Sequence, residues 1–425
     1  MTPDADVIVV GGGLAGIVAA VRLAKQRHRV ELHEATETLG GSWAPYVKDG
    51  VTVDDLPPVL SFPAPWRDLF RKSGRPLEAE LARVGLSLEP APSPRYVFAD
   101  GTELELPADR GGQFRALTAA YGPPVATRWR DVLDGLAPLW QALRPLGLEA
   151  ELRGRAQLDP TTRKALRWRE SLADLARSLD HPQLGEILTL TAHRLGSDPE
   201  RTPAWVATQL FVERTFGRWT LGRTSRLVDL LVDRLALRRV EVHRGSRVHR
   251  LLVESGRVVG VEGPGGPRRA PAVVVAVDPW QLYDRLLPHP PRAERRGVRR
   301  STPARGAAVD VVVERGRSVT PDATETVRFG PDGPVTRWQR DHRDDTGPVA
   351  VVTTYDHRSS TPDPAVGTAW EGARSWLRRP PVSSALPGLH WAGPQGRGGG
   401  SAWATVLAGA LATYGVHDRL TGDPR

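Results

Sequence analysis

Cysteine is absent from this chain of 425 residues, which removes disulfides, thiolate metal ligands and catalytic thiols together. Lysine is scarce too: Lys25, Lys48, Lys72 and Lys164 are the four present, so the net charge of +9 is carried by arginine. Methionine occurs once. Abundant Arg, Gly, Pro and Ala beside so little Lys and Met reads as GC-rich coding before it reads as a binding adaptation, and the basic balance alone names no partner. No uninterrupted apolar run approaches the ~20 residues that span a bilayer. The chain runs directly into a strand at 6–10, with no charged region, apolar stretch and cleavage site ahead of it, which predicts a cytoplasmic location. With no thiols available, redox chemistry would have to come from a cofactor.

The length suits two domains, in a discontinuous layout. The opening, DVIVVGGGLAGIVAAVRLAKQRHRVELHEA, reads as a buried strand, a glycine turn, a helix of about three turns and a second strand ending at Glu34. Residues 96–106 read as a hairpin turning at Asp100-Gly101, followed by helical stretches at 125–143 and 161–195. From Thr224 the α/β pattern returns: a helix to about Leu237, strands at 240–243, 248–254 and 257–261, and a buried strand at 272–277 leading through Asp278-Pro279 into a short helix. Strands at 306–313, 335–340 and 349–355 suit an antiparallel sheet. The end reads as a strand at 388–392, a glycine turn at 393–400 and a helix at 401–414. There are no repeats and no low-complexity tail.

In GGGLAG, Gly11 permits the tight turn from strand to helix, Gly13 lets the backbone approach a pyrophosphate, and Gly16 lets helix and strand pack closely. Leu14 and Ala15 then open a helix whose free N–H groups and positive dipole end face the phosphates. Eighteen positions after Gly16 the second strand delivers Glu34, where a carboxylate can take both ribose hydroxyls. These features fit NAD and FAD alike.

The segment after the second strand separates the two. EATETLGGSW, with Glu34, Ala35, the doublet Gly40-Gly41, Ser42 and Trp43, resembles the second phosphate loop of the FAD-dependent amine oxidase, phytoene desaturase and protoporphyrinogen oxidase superfamily. The resemblance narrows toward the phytoene desaturase-like branch through DLPPVLSFPAPWRDLFRKSG, RYVFADGTELELP, VEVHRGSRVHRLLVESGRVVGV, AVVVAVDPWQLYDRLLP and GLHWAGPQGRGGGSAWATVLAGALA. It implies an α/β fold: a discontinuous Rossmann-like FAD-binding domain (1–65, 222–287 and 385–425) and an α+β substrate domain with an antiparallel sheet and helices (66–221 and 288–384). It further implies that the Val248 backbone meets adenine, and that Gly393, Pro394, Gly400, Ser401, Ala402 and Trp403 close over the flavin. Ser42 stands where relatives usually carry Arg, which leaves the pyrophosphate to backbone N–H groups. Pro394 follows Gly393 where many relatives place an Asp that holds the ribityl chain. That change predicts weaker retention of FAD.

The resemblance implies an FAD-dependent oxidoreductase, a dehydrogenase or desaturase passing a hydride from a largely apolar small molecule to the flavin, with oxygen or a quinone as reoxidant. Such chemistry needs a dry, shaped pocket more than a conspicuous side chain, and no catalytic residue is assigned. Leu60, His390, Trp391 and Arg397, with Trp43 and Trp403, are the candidates for the pocket because they fall in flavin-facing motifs; packing competes as an explanation for each Trp, and a structural role for His390. Two other readings stand beside the first. One is an amine or amino-acid oxidase releasing peroxide, against which the lack of a lysine in a flavin-facing motif argues. The other is a redox-neutral flavin isomerase or a non-catalytic binding protein. Asp341, His342, Asp344 and Asp345 read as a solvated turn rather than a metal site. Arginines 292, 295, 296, 299 and 300 would share one helical face if Pro291 starts a helix, a solvated surface or one in weak peripheral contact with a membrane. Nothing points to nucleic acid.

Overall fold

The run Val7–Val10 buries all four of its residues, as a strand covered on both faces must. In the computed structural model, which describes residues 3–319, 323–344 and 347–422, it is the centre of a five-stranded parallel sheet. The order across that sheet is Glu241–His243, Val30–His33, Val7–Val10, Ala272–Val275 and Leu389–Trp391. Alternation along the central strand feeds two cores. Val7 and Val9 pack with the helices Leu14–Lys25 and Arg226–Leu237, whereas Ile8 and Val10 pack with Leu251, Val258 and Val261 of a three-stranded antiparallel sheet. The closing helix Ala402–Thr421 lies on the helical face, where Gly409 lets it approach so closely that an added Cβ would stand 2.9 Å from the Ala15 carbonyl oxygen.

A second, six-stranded sheet runs in the order Arg305–Arg315, Gly347–Pro362, Val335–Asp344, Ala323–Arg328, Arg95–Val97 and Glu103–Glu105. It is antiparallel except where Ala323–Arg328 pairs in parallel with Arg95–Val97. The α/β class and the antiparallel sheet are as the sequence predicts, and each sheet draws strands from separated stretches of chain.

Several expectations are corrected. The helix expected over 125–143 is two, Pro123–Asp134 and Leu136–Leu143, divided at Gly135. The stretch 161–195 breaks into Pro160–Ala165, Leu172–Arg177 and Pro182–Arg194, with Arg167 and Asp180 in left-handed backbone at φ 49° and 48°. Asp341, His342 and Asp344 lie in the strand Val335–Asp344 paired to Gly347–Pro362, because the partner strand captures them; Asp345 lies outside the described residues. The strands Gly266–Arg269 and Ala323–Arg328 were not expected.

One buried ion pair ties the six-stranded sheet to the loop that follows the strand Val51–Val53. Arg340 donates from Nη1 to Asp54 Oδ1 at 3.0 Å and from Nη2 to the Asp54 carbonyl at 3.2 Å, and the two side chains are 5% and 1% exposed. Asp54 Oδ2 also accepts the Ser225 N–H at 2.8 Å, just ahead of the helix Arg226–Leu237. Removing one member leaves the other charged and buried, so Arg340→Met is expected to cost about 3–5 kcal/mol. Urea unfolding of Arg340→Met, Asp54→Asn and the double variant checks this: the double variant should lose less than the two single losses added together.

Candidate functional site

All five strands of the parallel sheet end on one edge, and there the predicted glycines come together. Ligands of open α/β sheets sit at this carboxyl edge, where strand order reverses about the first strand. Gly11 has φ 101°, and a Cβ on it would meet the Ala276 carbonyl oxygen at 2.9 Å. A Cβ on Gly16 would lie 1.9 Å from the Gly11 carbonyl oxygen, so only glycine allows helix and turn to touch. Around Gly13 the situation is the reverse: an added Cβ finds no protein atom within 4 Å. Leu14, Ala15 and Gly16 form the first turn of Leu14–Lys25, which has no side-chain cap and no acid. The helix thus presents bare N–H groups and a positive dipole end to open space.

Glu34 stands at the mouth of the same space. Its Oε2 accepts the Gly12 N–H at 2.8 Å, and its Oε1 accepts both the N–H and the hydroxyl of Thr36, each at 2.8 Å. These bonds aim the carboxylate and leave lone-pair capacity for a hydroxyl. Ala35 follows it half-buried. The Gly40 N–H donates to the Gly12 carbonyl at 2.8 Å, and a Cβ on Gly41 would come within 3.3 Å of Gly13 Cα. Fingerprint and doublet are therefore one cradle. Ser42 is exposed beside it, and Trp43 packs on the fully buried Trp66 with ring centroids 5.4 Å apart. The Ser246 N–H donates to the Glu34 carbonyl at 2.8 Å, which brings Val248, buried, alongside.

From the other end of the chain come the strand Leu389–Trp391 and the turn through Gly393 and Pro394. Gly400 passes so near Val366 that a Cβ would lie 2.4 Å from its carbonyl oxygen. Ser401 is the N-cap residue of the closing helix, yet its side chain caps nothing, and its Oγ is buried without a partner. Such an orphan costs free energy unless another group meets it. Ala402 and Trp403 form the first turn after it.

Open space beside Gly13, an uncapped helix, an aimed Glu34 and an orphaned Ser401 hydroxyl together fit a dinucleotide laid along this edge. Glu31, His33 and His243 bring ligand atoms within 4.8 Å of one another, but Arg268 occupies the Glu31 carboxylate at 2.5 and 3.1 Å. The cluster is a charge network.

The expected pocket residues divide. Trp391 is a core residue, 1% exposed, and its indole N–H donates to the Val277 carbonyl at 3.0 Å. Leu60 is likewise buried, in a short strand paired with Trp219. His390 lies beneath the closing helix against Gly415, with neither ring nitrogen bonded; burial, then the nearby Arg419, pushes its pKa down to about 4. Arg397 donates to the carbonyls of Leu152 and, at 3.3 Å, Arg379, so it braces the turn rather than facing the glycine cradle.

Two features escaped the sequence reading. Arg379, fully buried, donates to the carbonyls of Gly396 and Thr368 at 3.1 and 2.6 Å and stacks over Trp370 at 3.8 Å, which fixes the glycine turn. The second is an aromatic chain. Phe62, in left-handed backbone at φ 52°, touches Phe216 at 4.8 Å, Trp403 at 5.4 Å and Trp140 at 5.5 Å between ring centroids. Phe216 is 39% exposed whereas Trp140 and Trp403 are about 5% exposed, so the rings lead from the surface to the start of the closing helix. Strain of this kind in a non-glycine residue clusters at ligand sites. Only the run SFPAPW could have signalled it, and proline there predicts extended backbone for Phe62.

Comparison with known proteins agrees with the geometry. A family model described as flavin containing amine oxidoreductase matches residues 14–377. The hydroxyneurosporene desaturase of Rhodobacter capsulatus is 28% identical over 322 residues, 73% of this chain and 63% of that protein. The zeta-carotene-forming phytoene desaturase of Myxococcus xanthus is 28% identical over 303 residues, 67% of this chain and 56% of that one. The chain thus spans about three fifths of the length of such relatives. Among solved structures, putrescine oxidase bound to putrescine superposes with a TM-score of 0.66 at 16% identity, covering 98% of this chain and 99% of that one. Cyclohexylamine oxidase from Brevibacterium oxydans gives 0.65 at 15% identity, covering 99% and 100%. At that identity the likeness is one of fold.

Two outcomes follow from the packing. Gly16→Ala should unfold or gravely destabilise the protein, whereas Gly13→Ala should cost about 1 kcal/mol or less in the flavin-free protein and still weaken flavin retention; denaturant melts with and without added FAD separate these effects. His390 and His357, both pushed down to about 4, with burial as the largest cause, stay neutral when folded but titrate near 6.5 when unfolded. The unfolded chain therefore binds more protons in that window, and stability should fall as pH drops from 6.5 toward 4. Urea midpoints at neutral and acid pH read the fall, which His390→Leu should flatten.

Proposed function

The chain belongs to the flavin containing amine oxidoreductase family, and on that premise we propose that it is an FAD-dependent dehydrogenase or desaturase of a largely apolar small molecule. FAD, when bound, supplies the acceptor for a hydride. Gly11, Gly13, Leu14, Ala15, Gly16, Gly40, Gly41 and Ser42 would hold its pyrophosphate through backbone N–H groups, Glu34 its ribose, and Val248 its adenine. Gly393, Pro394 and Gly400 to Trp403 would close over the ring end. In this reading residues 1–65, 222–287 and 385–425 bind the cofactor, and residues 66–221 and 288–384 shape the substrate site.

The observation that carries the reading is the aromatic chain from Phe216 through Phe62 to Trp140 and Trp403. It offers an apolar substrate surface contact at one end and exclusion of water at the other, which is what positioning a C–H bond requires. The relatives named as desaturases of hydroxyneurosporene and phytoene support the same class of substrate. None of the four lysines is among these rings: Lys25 ends the first helix, Lys48 faces Asp310 at 3.8 Å, Lys72 donates to Tyr414 at 3.1 Å, and Lys164 lines an arginine-rich groove. That distribution weighs against amine oxidation. Oxygen or a quinone would accept the electrons, and the outer arginines of the helix Arg292–Arg299 would give weak contact with a lipid surface that holds an apolar substrate.

Purified protein with added FAD should show bands near ~450 nm that bleach anaerobically with polyenes and not with amines. Phe62→Ala should raise KM severalfold with a smaller change in kcat. A protein that stays colourless after FAD addition, or one bleached by amines alone with peroxide released in air, would overturn the proposal.

A further inference from the structure

Away from the glycine cradle, the molecule carries a groove of about 1250 Å³ built from the segment 153–170, the helix Arg292–Arg299 and the short helix Ala373–Arg378, with Arg397 among its lining residues. Eleven of its nineteen lining residues are Arg or Lys and one, Glu170, is acidic. Its formal charge is thus +10 against +9 for the entire chain, so the rest of the molecule is close to neutral. Whatever its coding origin, the excess of arginine is concentrated in one concavity.

Many arginines elsewhere are matched to acids, and three in the groove also meet one: Arg153 faces Glu151 at 3.6 Å, Arg167 faces Glu170 at 3.4 Å and Arg378 faces Glu371 at 3.7 Å. Arg194 and Arg218 share Glu325, Arg340 pairs with Asp54, and Arg295 and Arg299 both meet Asp284 on the outer face of their helix. The five arginines expected on one face of that helix therefore divide, because Arg296 and Arg300 turn into the groove. With Arg155, Lys164, Arg169 and Arg374 they have no carboxylate within 4 Å among the described residues. Folding draws these like charges together. Gly297 presses the helix so near Ala373–Arg378 that a Cβ would sit 2.7 Å from the Arg378 carbonyl oxygen, which sets Arg296 and Arg300 beside Arg374 and Arg378. A concave cluster of unpaired cations raises the local concentration of anions and is relieved by binding them.

The groove wall is not uniformly charged. Trp168, Leu158 and Leu377 line it, and the Arg163 guanidinium stands 5.7 Å from the Trp168 ring centroid. None of the large hydrophobic residues exposed on the surface (Tyr46, Val47, Val84, Phe216, Leu237, Val309 and Val312) lies in the lining. A lipid-docking surface inserts apolar side chains, so concavity and this dry-anchor deficit favour a free ligand over a bilayer. Arginine suits phosphate in particular, through its planar fork of donors.

We propose that this groove is a second ligand site, for a soluble molecule carrying several clustered phosphates, with its ring or apolar part on Trp168, Leu158 and Leu377. None of its lining residues belongs to the glycine cradle, although Arg397 stands in the turn 393–400, and the binding does not depend on flavin chemistry.

Titration of the full chain with inorganic tripolyphosphate, followed by calorimetry, tests it. Saturable binding that weakens with added salt is expected, together with a loss of at least tenfold in Arg296→Glu/Arg300→Glu and of severalfold in Arg374→Glu. Arg115→Glu, an exposed change outside the groove, should leave affinity unchanged. Should the double variant fail to fold, Arg374→Glu decides alone. No binding, binding indifferent to these variants, or sulfate binding as tightly as tripolyphosphate would overturn the site. Cosedimentation with phosphatidylglycerol vesicles that Arg296→Glu/Arg300→Glu abolishes and tripolyphosphate cannot displace would overturn it in favour of a lipid surface. Absorbance of bound FAD serves as an independent readout, so failure here and failure of the oxidoreductase reading are told apart.

Discussion

The pairing of Arg340 with Asp54 is the constraint that fixes the six-stranded sheet against the loop after the glycine doublet. A carboxylate that has lost water must be surrounded by donors, and Asp54 takes one from Arg340 and one from the Ser225 backbone. Arg340 in turn donates to Thr353 Oγ1 at 3.0 Å on the neighbouring strand. Three distant parts of the chain therefore have a single mutual arrangement: the loop after the glycine doublet, the helix Arg226–Leu237, and the antiparallel sheet. Tyr355 adds a bond from its hydroxyl to the Asp55 carbonyl at 2.9 Å. The loop so pinned continues to Leu60 and Phe62, which explains how Phe62 can be kept in a backbone region that costs about 1–3 kcal/mol.

Legibility in the sequence followed the range of the physics involved. The glycine cradle was readable because its demands are local: a turn at Gly11, close approach at Gly16, and a carboxylate at the end of the next strand. Buried strands announced themselves by unbroken apolar runs, as at Val7–Val10 and Ala272–Val275. Where the outcome rested on a distant partner, the sequence misled. The polar stretch at 341–344 is strand because Gly347–Pro362 pairs with it, and polarity alone suggested a turn. The breaks at Arg167 and Asp180 occur at residues that carry no intrinsic preference for left-handed backbone comparable to glycine's. The arginines of the helix Arg292–Arg299 could be placed on a helix, but which of them would find Asp284 was a tertiary question.

Arginine does three kinds of work in a chain that has almost no lysine. Buried guanidiniums cross-link backbone, as Arg379 does at the glycine turn and Arg234 does at the Phe70 carbonyl, at 2.9 Å. Others neutralise buried acids, and Glu325, held between Arg194 and Arg218, is kept below the usual carboxylate range by them against the opposing pull of burial. A guanidinium stays charged where an ammonium would shed its proton, and its fork reaches several carbonyls at once. A third set, Arg155, Arg169, Arg296, Arg300 and Arg374, has no carboxylate within 4 Å among the described residues and gathers in the groove.

The interleaving of the parallel sheet also sets a schedule for synthesis. Val7–Val10 leaves the ribosome well before its neighbour Ala272–Val275, and Leu389–Trp391 with the closing helix follows later still. Strand pairs of such separation are slow to form, because the loop must close before contact rewards it. Until Ala272–Val275 arrives, the nascent βαβ unit has one edge of its central strand unpaired, an edge open to association with other chains. Arrival of Leu389–Trp391 and the helix Ala402–Thr421 completes the sheet and the cofactor edge together, so a chain cut before residue 389 would expose that edge and have no means of covering it.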